Sequence, residues 1–201
     1  MTTVVAGGDS FIWGSELADS PHGGLDGYSR STFTALLATR YVCAAYPGIG
    51  NREIGLRVRK YLNWMRNDVV VVVCWTWPTR DNQTDSDRDI MSLQNYLDYH
   101  DYKYLFTCAD NCVVTGQLDY SNWFFFPPAP NEQPHNTQTP RGFYQWAVEN
   151  KYMCGPEHHP LEQAHRDAAQ LMQEKFNEMV TKLVQPNQVG NQLPQKTSGN
   201  A

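Results

Sequence analysis

Asp68-Val69-Val70-Val71-Val72-Val73-Cys74-Trp75 is apolar at every position after the first. A strand with one wet face alternates apolar and polar side chains, so this run predicts a central parallel strand covered by helices on both faces. The flanking segments fit that placement. Thr3 to Ala6 and Tyr41 to Ala45 read as strands, and Ser31 to Arg40 as a helix. Asn51 to Arg66 reads as a second helix, with Ile54, Val58, Tyr61, Leu62 and Met65 on one face. Strands alternating with helices predict an α/β protein, a three-layer α/β/α sandwich on a mostly parallel sheet.

Toward the carboxy terminus, Asp89 to Phe106 has helical length, with Ile90, Leu93, Leu97 and Leu105 as its apolar positions, and Cys112 to Gln117 suggests another strand. Asp119 to Thr139 is aromatic (Trp123-Phe124-Phe125-Phe126) and then rich in proline and asparagine, which predicts a long excursion. Its aromatic part suits core or lid packing better than a sugar platform. From Pro160 to Leu183 apolar residues recur at helical spacing, with Pro160 suited to the first turn. Residues 1–184 therefore read as one domain, and the polar stretch 185–201 as a flexible tail.

The 201 residues, 41% hydrophobic and 18% charged, suffice for one full core. A net charge of −5 without a basic run argues against a nucleic-acid surface. No apolar stretch is long enough to cross a membrane, and the strand starting at Thr3 leaves no room for a signal peptide, so a cytoplasmic protein is expected. Five scattered cysteines fit reduced thiols better than a disulfide framework. Cys108 and Cys112 have knuckle-like spacing but no matching second pair; Cys154, Glu157, His158, His159 and His165 lack the i, i+4 histidine pair of helical zinc motifs. Neither a metal nor a cofactor is expected.

Ligand sites of open parallel sheets form beyond the carboxyl ends of the strands. Three loops meet that condition: Ser10 follows the first strand, Gly48 to Asn51 the second, and Thr76 to Arg80 the third. A serine hydroxyl needs a base, a group that orients the base, and donors for a developing oxyanion. His159 is the candidate base. Glu157, two residues earlier, is the candidate orienting acid. Gly50 and Asn51, ahead of a helix, offer donors, with Thr76 a further candidate. Arg80 and Trp77 stand on the same rim as candidate substrate contacts. Asp9 reads as a structural hydrogen-bonding residue, and His165 as a packed or capping histidine.

Gly8-Asp9-Ser10 after the first strand, Pro47-Gly48-Ile49-Gly50-Asn51 after the second and Glu157-His158-His159-Pro160 before the last helix resemble, in order and placement, the SGNH (GDSL-like) hydrolases. The resemblance spans residues 1 to about 183. It implies a flavodoxin-like fold, Ser10 as nucleophile, His159 as base, Glu157 as acid, and the Ser10 and Gly50 N–H groups in an oxyanion hole. Two departures stand out. The family's third block carries an asparagine, where this chain reads Trp75-Thr76-Trp77-Pro78-Thr79-Arg80, so the third donor falls to Thr76, Asn51 or Arg80, or is missing. That variant is similar to bacteriophage-encoded members, which implies host cytoplasm or virion as a location. The second departure is glutamate where the family has aspartate.

The implied activity is that of a serine esterase working through an acyl-serine intermediate on a small-molecule or carbohydrate ester, such as an O-acylated sugar. The rival expectation is a viral structural or binding protein that keeps the fold without the chemistry.

Overall fold

A computed structural model describes residues 2–20, 27–65, 68–81, 83–128 and 140–184. The stretch expected to form a tail, and residues 129–139 of the excursion, lie outside these. Four strands, β1 (Thr3–Gly7), β2 (Arg40–Cys43), β3 (Val69–Trp75) and β4 (Lys103–Cys108), form one parallel sheet in the order β2-β1-β3-β4. Every residue of β3 is buried, as its composition requires. Strand order reverses between β1 and β3, the place where such sheets open a crevice at their carboxyl ends.

The helices are α1 (Ser10–Trp13), α2 (Phe33–Leu36), α3 (Asn51–Leu62), α4 (Gln83–Tyr99), α5 (Phe143–Glu149) and α6 (Glu162–Val184). Alternate residues of the strands feed two cores. Val4, Ala6, Val70, Val72, Cys74 and Leu105 pack with α1, α2, α5 and α6 on one face. Val5, Val71, Val73, Trp75 and Phe106 pack with α3 and α4 on the other, giving the expected three layers.

Several boundaries differ from expectation. The helix expected over Ser31 to Arg40 shrinks to one turn, capped by the Thr32 hydroxyl and followed directly by β2. The helix expected over Asp89 to Phe106 is in fact α4, a turn, and β4. Asp101 makes that turn in the left-handed region (φ 57°), with the Tyr102 N–H returning to the Leu97 carbonyl. Glycine is the usual residue there, so the break carries no sequence signal. Cys112 to Gln117 is not a strand; Asn111–Val113 is a single 3-10 turn, and Tyr120 Oη bonds both the N–H and the carbonyl of Thr115 at 2.7 Å.

The aromatic excursion packs inward. Residues 122–124 pair beside Phe106, and Trp123 and Phe126 are buried in the two cores. The short α5 was not foreseen. It docks at the end of β4 through Tyr144 N–H to the Ala109 carbonyl at 3.0 Å and Asn111 N–H to Gln145 Oε1 at 2.9 Å. Helix α6 begins at Glu162 rather than Pro160, which instead bridges Cys154. Among the described residues no helix is long and apolar enough to cross a membrane.

Candidate active site

Ser10 opens α1 directly beyond β1 and is 7% exposed. Asp9 caps that helix: its Oδ1 accepts the Phe11 N–H at 3.0 Å, and its Oδ2 accepts the Thr76 hydroxyl at 2.6 Å. This buried carboxylate also meets the Arg80 guanidinium at 3.5 Å. It fixes the turn bearing the serine. The structural role read for Asp9 therefore holds in its contacts.

His159 lies at the tip of a closed loop, held by Gly155 N–H to the His159 carbonyl at 2.9 Å and Leu161 N–H to the Met153 carbonyl at 3.0 Å. Its ring meets Phe11, the residue after Ser10, edge-on at 5.4 Å. The turn that bears Ser10 and the loop that bears His159 thus meet on one rim. The Ser10 hydroxyl has no hydrogen-bond partner among the described residues, and catalytic hydrogen bonds commonly close only around substrate.

The carboxylate beside the imidazole is Glu16, not Glu157. Glu16 Oε2 lies 2.8 Å from His159 Nδ1 and accepts the His159 backbone N–H at 3.2 Å, while Oε1 accepts the Glu157 N–H at 2.9 Å. Glu157 thus contributes a backbone donor to the cradle, and its side chain is exposed. The loop closes so tightly that a Cβ on Gly155 would stand 2.5 Å from the Glu16 carboxylate. Burial disfavours the Glu16 charge, yet hydrogen bonds from the Glu157 N–H, the His159 ring and the His159 N–H outweigh it and hold the carboxyl below its ordinary range. Glu16 adopts φ 67°, a conformation costing about 1–2 kcal/mol for a residue with a Cβ. Such strain persists only where the surroundings over-determine it. Here, Ala18 N–H to Glu162 Oε1 at 2.7 Å ties the same segment to α6.

Two expected oxyanion donors are already engaged. The Asn51 amide donates to the Thr76 carbonyl at 3.0 Å and Ser86 Oγ at 2.6 Å, and its oxygen accepts the Thr76 N–H at 2.9 Å. Thr76 gives its hydroxyl to Asp9. Both side chains are fully buried and lock the loops after β2 and β3 together, so neither has a donor left for a substrate. The Ser10 and Gly50 N–H groups, by contrast, have no partner among the described residues. A Cβ on Gly50 would stand 2.4 Å from the Asp81 carboxylate, which accepts the Arg52 N–H at the start of α3, so a larger residue there would have to displace that cap.

Arg80 reaches Asp9 and, through Nη1, the Ile49 carbonyl at 3.2 Å; its guanidinium lies 5.9 Å from the Trp77 ring. Trp77, Phe11 and Tyr144 form a triangle with all three ring centroids 5.7 Å apart. Trp77 and Tyr144 are only half-buried, so this aromatic wall, with His159 against Phe11, faces outward.

His165 is fully buried between Phe33 and Phe143, and its Nδ1 accepts the Phe33 N–H at 3.1 Å. Burial pushes its pKa down to about 3, against an opposing contact with the Pro160 backbone. The unfolded chain therefore takes this proton first on acidification, and native stability falls as pH drops from about 6.5 toward 3. Urea unfolding at stepped pH should show a shallower acid slope in His165→Gln than in the wild type; equal slopes would contradict the assignment. Among the described residues no three His, Cys, Asp or Glu side chains are grouped to hold a metal ion.

No family profile matches this sequence, and no curated protein matches it. Solved structures do. The psychrotrophic esterase EstA of Pseudoalteromonas sp., in a structure inhibited by monoethylphosphonate, superposes with a TM-score of 0.50 at 11% identity, covering 90% of this chain and 100% of that one. A lipolytic protein of the G-D-S-L family from Desulfitobacterium hafniense DCB-2, itself described as a putative assignment, gives 0.48 at 11% identity, covering 87% and 99%. The chain shares its α/β/α fold with the Pseudoalteromonas esterase.

Proposed function

We propose that the chain is a serine ester hydrolase with Ser10 as nucleophile, His159 as base and Glu16 as the acid that orients it. The observation carrying this reading is the Glu16–His159 Nδ1 contact at 2.8 Å, beside the turn that bears Ser10. A carboxylate on Nδ1 fixes the tautomer whose Nε2 is free to accept a proton. Ser10 Oγ attacks the ester carbonyl carbon as its proton passes to His159 Nε2. The Ser10 and Gly50 N–H groups receive the oxyanion. Collapse expels the alcohol, which takes the proton from His159, leaving acyl-Ser10. Water, deprotonated by His159, then releases the carboxylic acid and restores the hydroxyl.

The outward faces of Trp77 and Tyr144 suit a sugar ring or a short acyl group, which favours an O-acylated carbohydrate or similar small ester as substrate. The two backbone bonds of Glu16 would suit a purely structural loop clamp as well; its contact with His159 Nδ1 is what favours the enzyme over the non-catalytic alternative. Labelling with an alkyl phosphonate probe, followed by peptide mapping, tests the reading. The adduct is expected on Ser10 and absent from Ser10→Ala; an unlabelled wild type, or a labelled Ser10→Ala, overturns it.

A further inference from the structure

We infer that Arg80 is a positioning residue that aims the Gly50 N–H at the reacting carbonyl oxygen, an inference that rests on the ester-hydrolysis reading. Arg80 ends the 3-10 turn Pro78–Arg80 that follows β3. One arm of its guanidinium meets Asp9 Oδ2 at 3.5 Å and the other donates to the Ile49 carbonyl at 3.2 Å. Asp9 is itself immobilised by the Phe11 N–H and the Thr76 hydroxyl, so Arg80 fastens the 49–50 peptide to the cap of the nucleophile's own helix.

The direction of that peptide follows from its planarity. In a trans peptide the carbonyl and the following N–H point in opposite directions, and the described chain has no cis bonds. With Arg80 on the Ile49 oxygen, the Gly50 N–H must point away from the guanidinium. The same geometry keeps Nη1 off any oxygen that the Gly50 N–H binds, so Arg80 does not act as a third donor to that atom. Flipping the peptide changes mainly ψ of Ile49 and φ of Gly50, and glycine offers little resistance to such a change. Gly48, at φ 78°, adds a second pliable joint. Among the described residues, the Arg80 contact is the hydrogen bond that holds the Ile49 carbonyl, and with it the direction of the donor. Polarisation of that carbonyl by the cation also strengthens the N–H as a donor. Asn51 and Thr76 have no donors to spare, so the oxyanion depends on this one peptide together with the Ser10 N–H.

The experiment compares wild type, Arg80→Lys and Arg80→Gln on a chromogenic short-chain acetate ester, with thermal melting and the Gly50 amide resonance in ¹H–¹⁵N spectra measured on each. Arg80→Gln should lower kcat about 100-fold, the usual size for losing one oxyanion donor, with KM unchanged and the Gly50 resonance shifted. Arg80→Lys keeps the charge but cannot bond both oxygens at once. It should fall between the two and supplies the reading if Arg80→Gln does not fold. Turnover in the wild type with unchanged kcat in a folded Arg80 variant, or a rise in KM alone, overturns the role of Arg80 and leaves the esterase standing. A wild type that neither hydrolyses the ester nor takes the phosphonate label overturns the esterase and this inference together.

Discussion

Alanine at Ser10, alanine at His159 and both together should each lower kcat on a chromogenic short-chain ester by nearly the same factor, about 10⁶. The two residues act as a unit. Without its base the hydroxyl keeps its proton; without the hydroxyl the imidazole has nothing to activate but water. Removing the second partner therefore costs little more once the first is gone. Residual catalysis, expected at about 10³-fold over water, would come from the Ser10 and Gly50 N–H groups and from binding. Losses that multiply in the double variant would mean that the residues act independently, against the proposed proton transfer.

Glu16→Gln should lower kcat about 10⁴-fold while Glu157→Gln leaves it unchanged. The amide is nearly isosteric, yet it presents an N–H as readily as an oxygen to His159 Nδ1. The tautomer with its proton on Nε2 then competes, and that form cannot accept the serine proton. The neutral amide also gives up charge-assisted bonds from the Glu157 and His159 N–H groups. Glu157, with its side chain in solvent, offers no comparable contact. Glu16→Asp separates reach from charge: it keeps the carboxylate and tolerates the left-handed backbone better, but is one methylene short. It should fall between wild type and Glu16→Gln. An unaffected Glu16→Gln alongside an impaired Glu157→Gln would restore the acid to the histidine loop.

The parallel sheet and its two cores were legible because β3 has no polar position and the α3 stripe repeats at helical spacing. Ser10 and His159 were legible because each sits in a loop with a distinctive local composition next to a well-patterned element. Glu16 was not legible, and the reason is physical. Its placement depends on a left-handed backbone at a residue other than glycine and on a cradle supplied from more than 140 positions away. The one available signal was a carboxylate six residues after Ser10 on the rim already assigned to the site. Asn51 and Thr76 misled for a related reason: their residue types suit an oxyanion hole, but only the fold shows that each is consumed by the other and by Ser86 and Asp9. The break at Asp101 hid β4 in the same way, by using an aspartate where the expected marker is glycine.

Rapid acid quench of wild-type protein mixed with a slowly deacylated ester, followed by peptide mass mapping, reads the central step directly. The mechanism requires one acyl group per chain, carried on the peptide that contains Ser10, appearing before steady-state turnover and missing from His159→Ala. Steady hydrolysis with no acylated Ser10 at any quench time would contradict it.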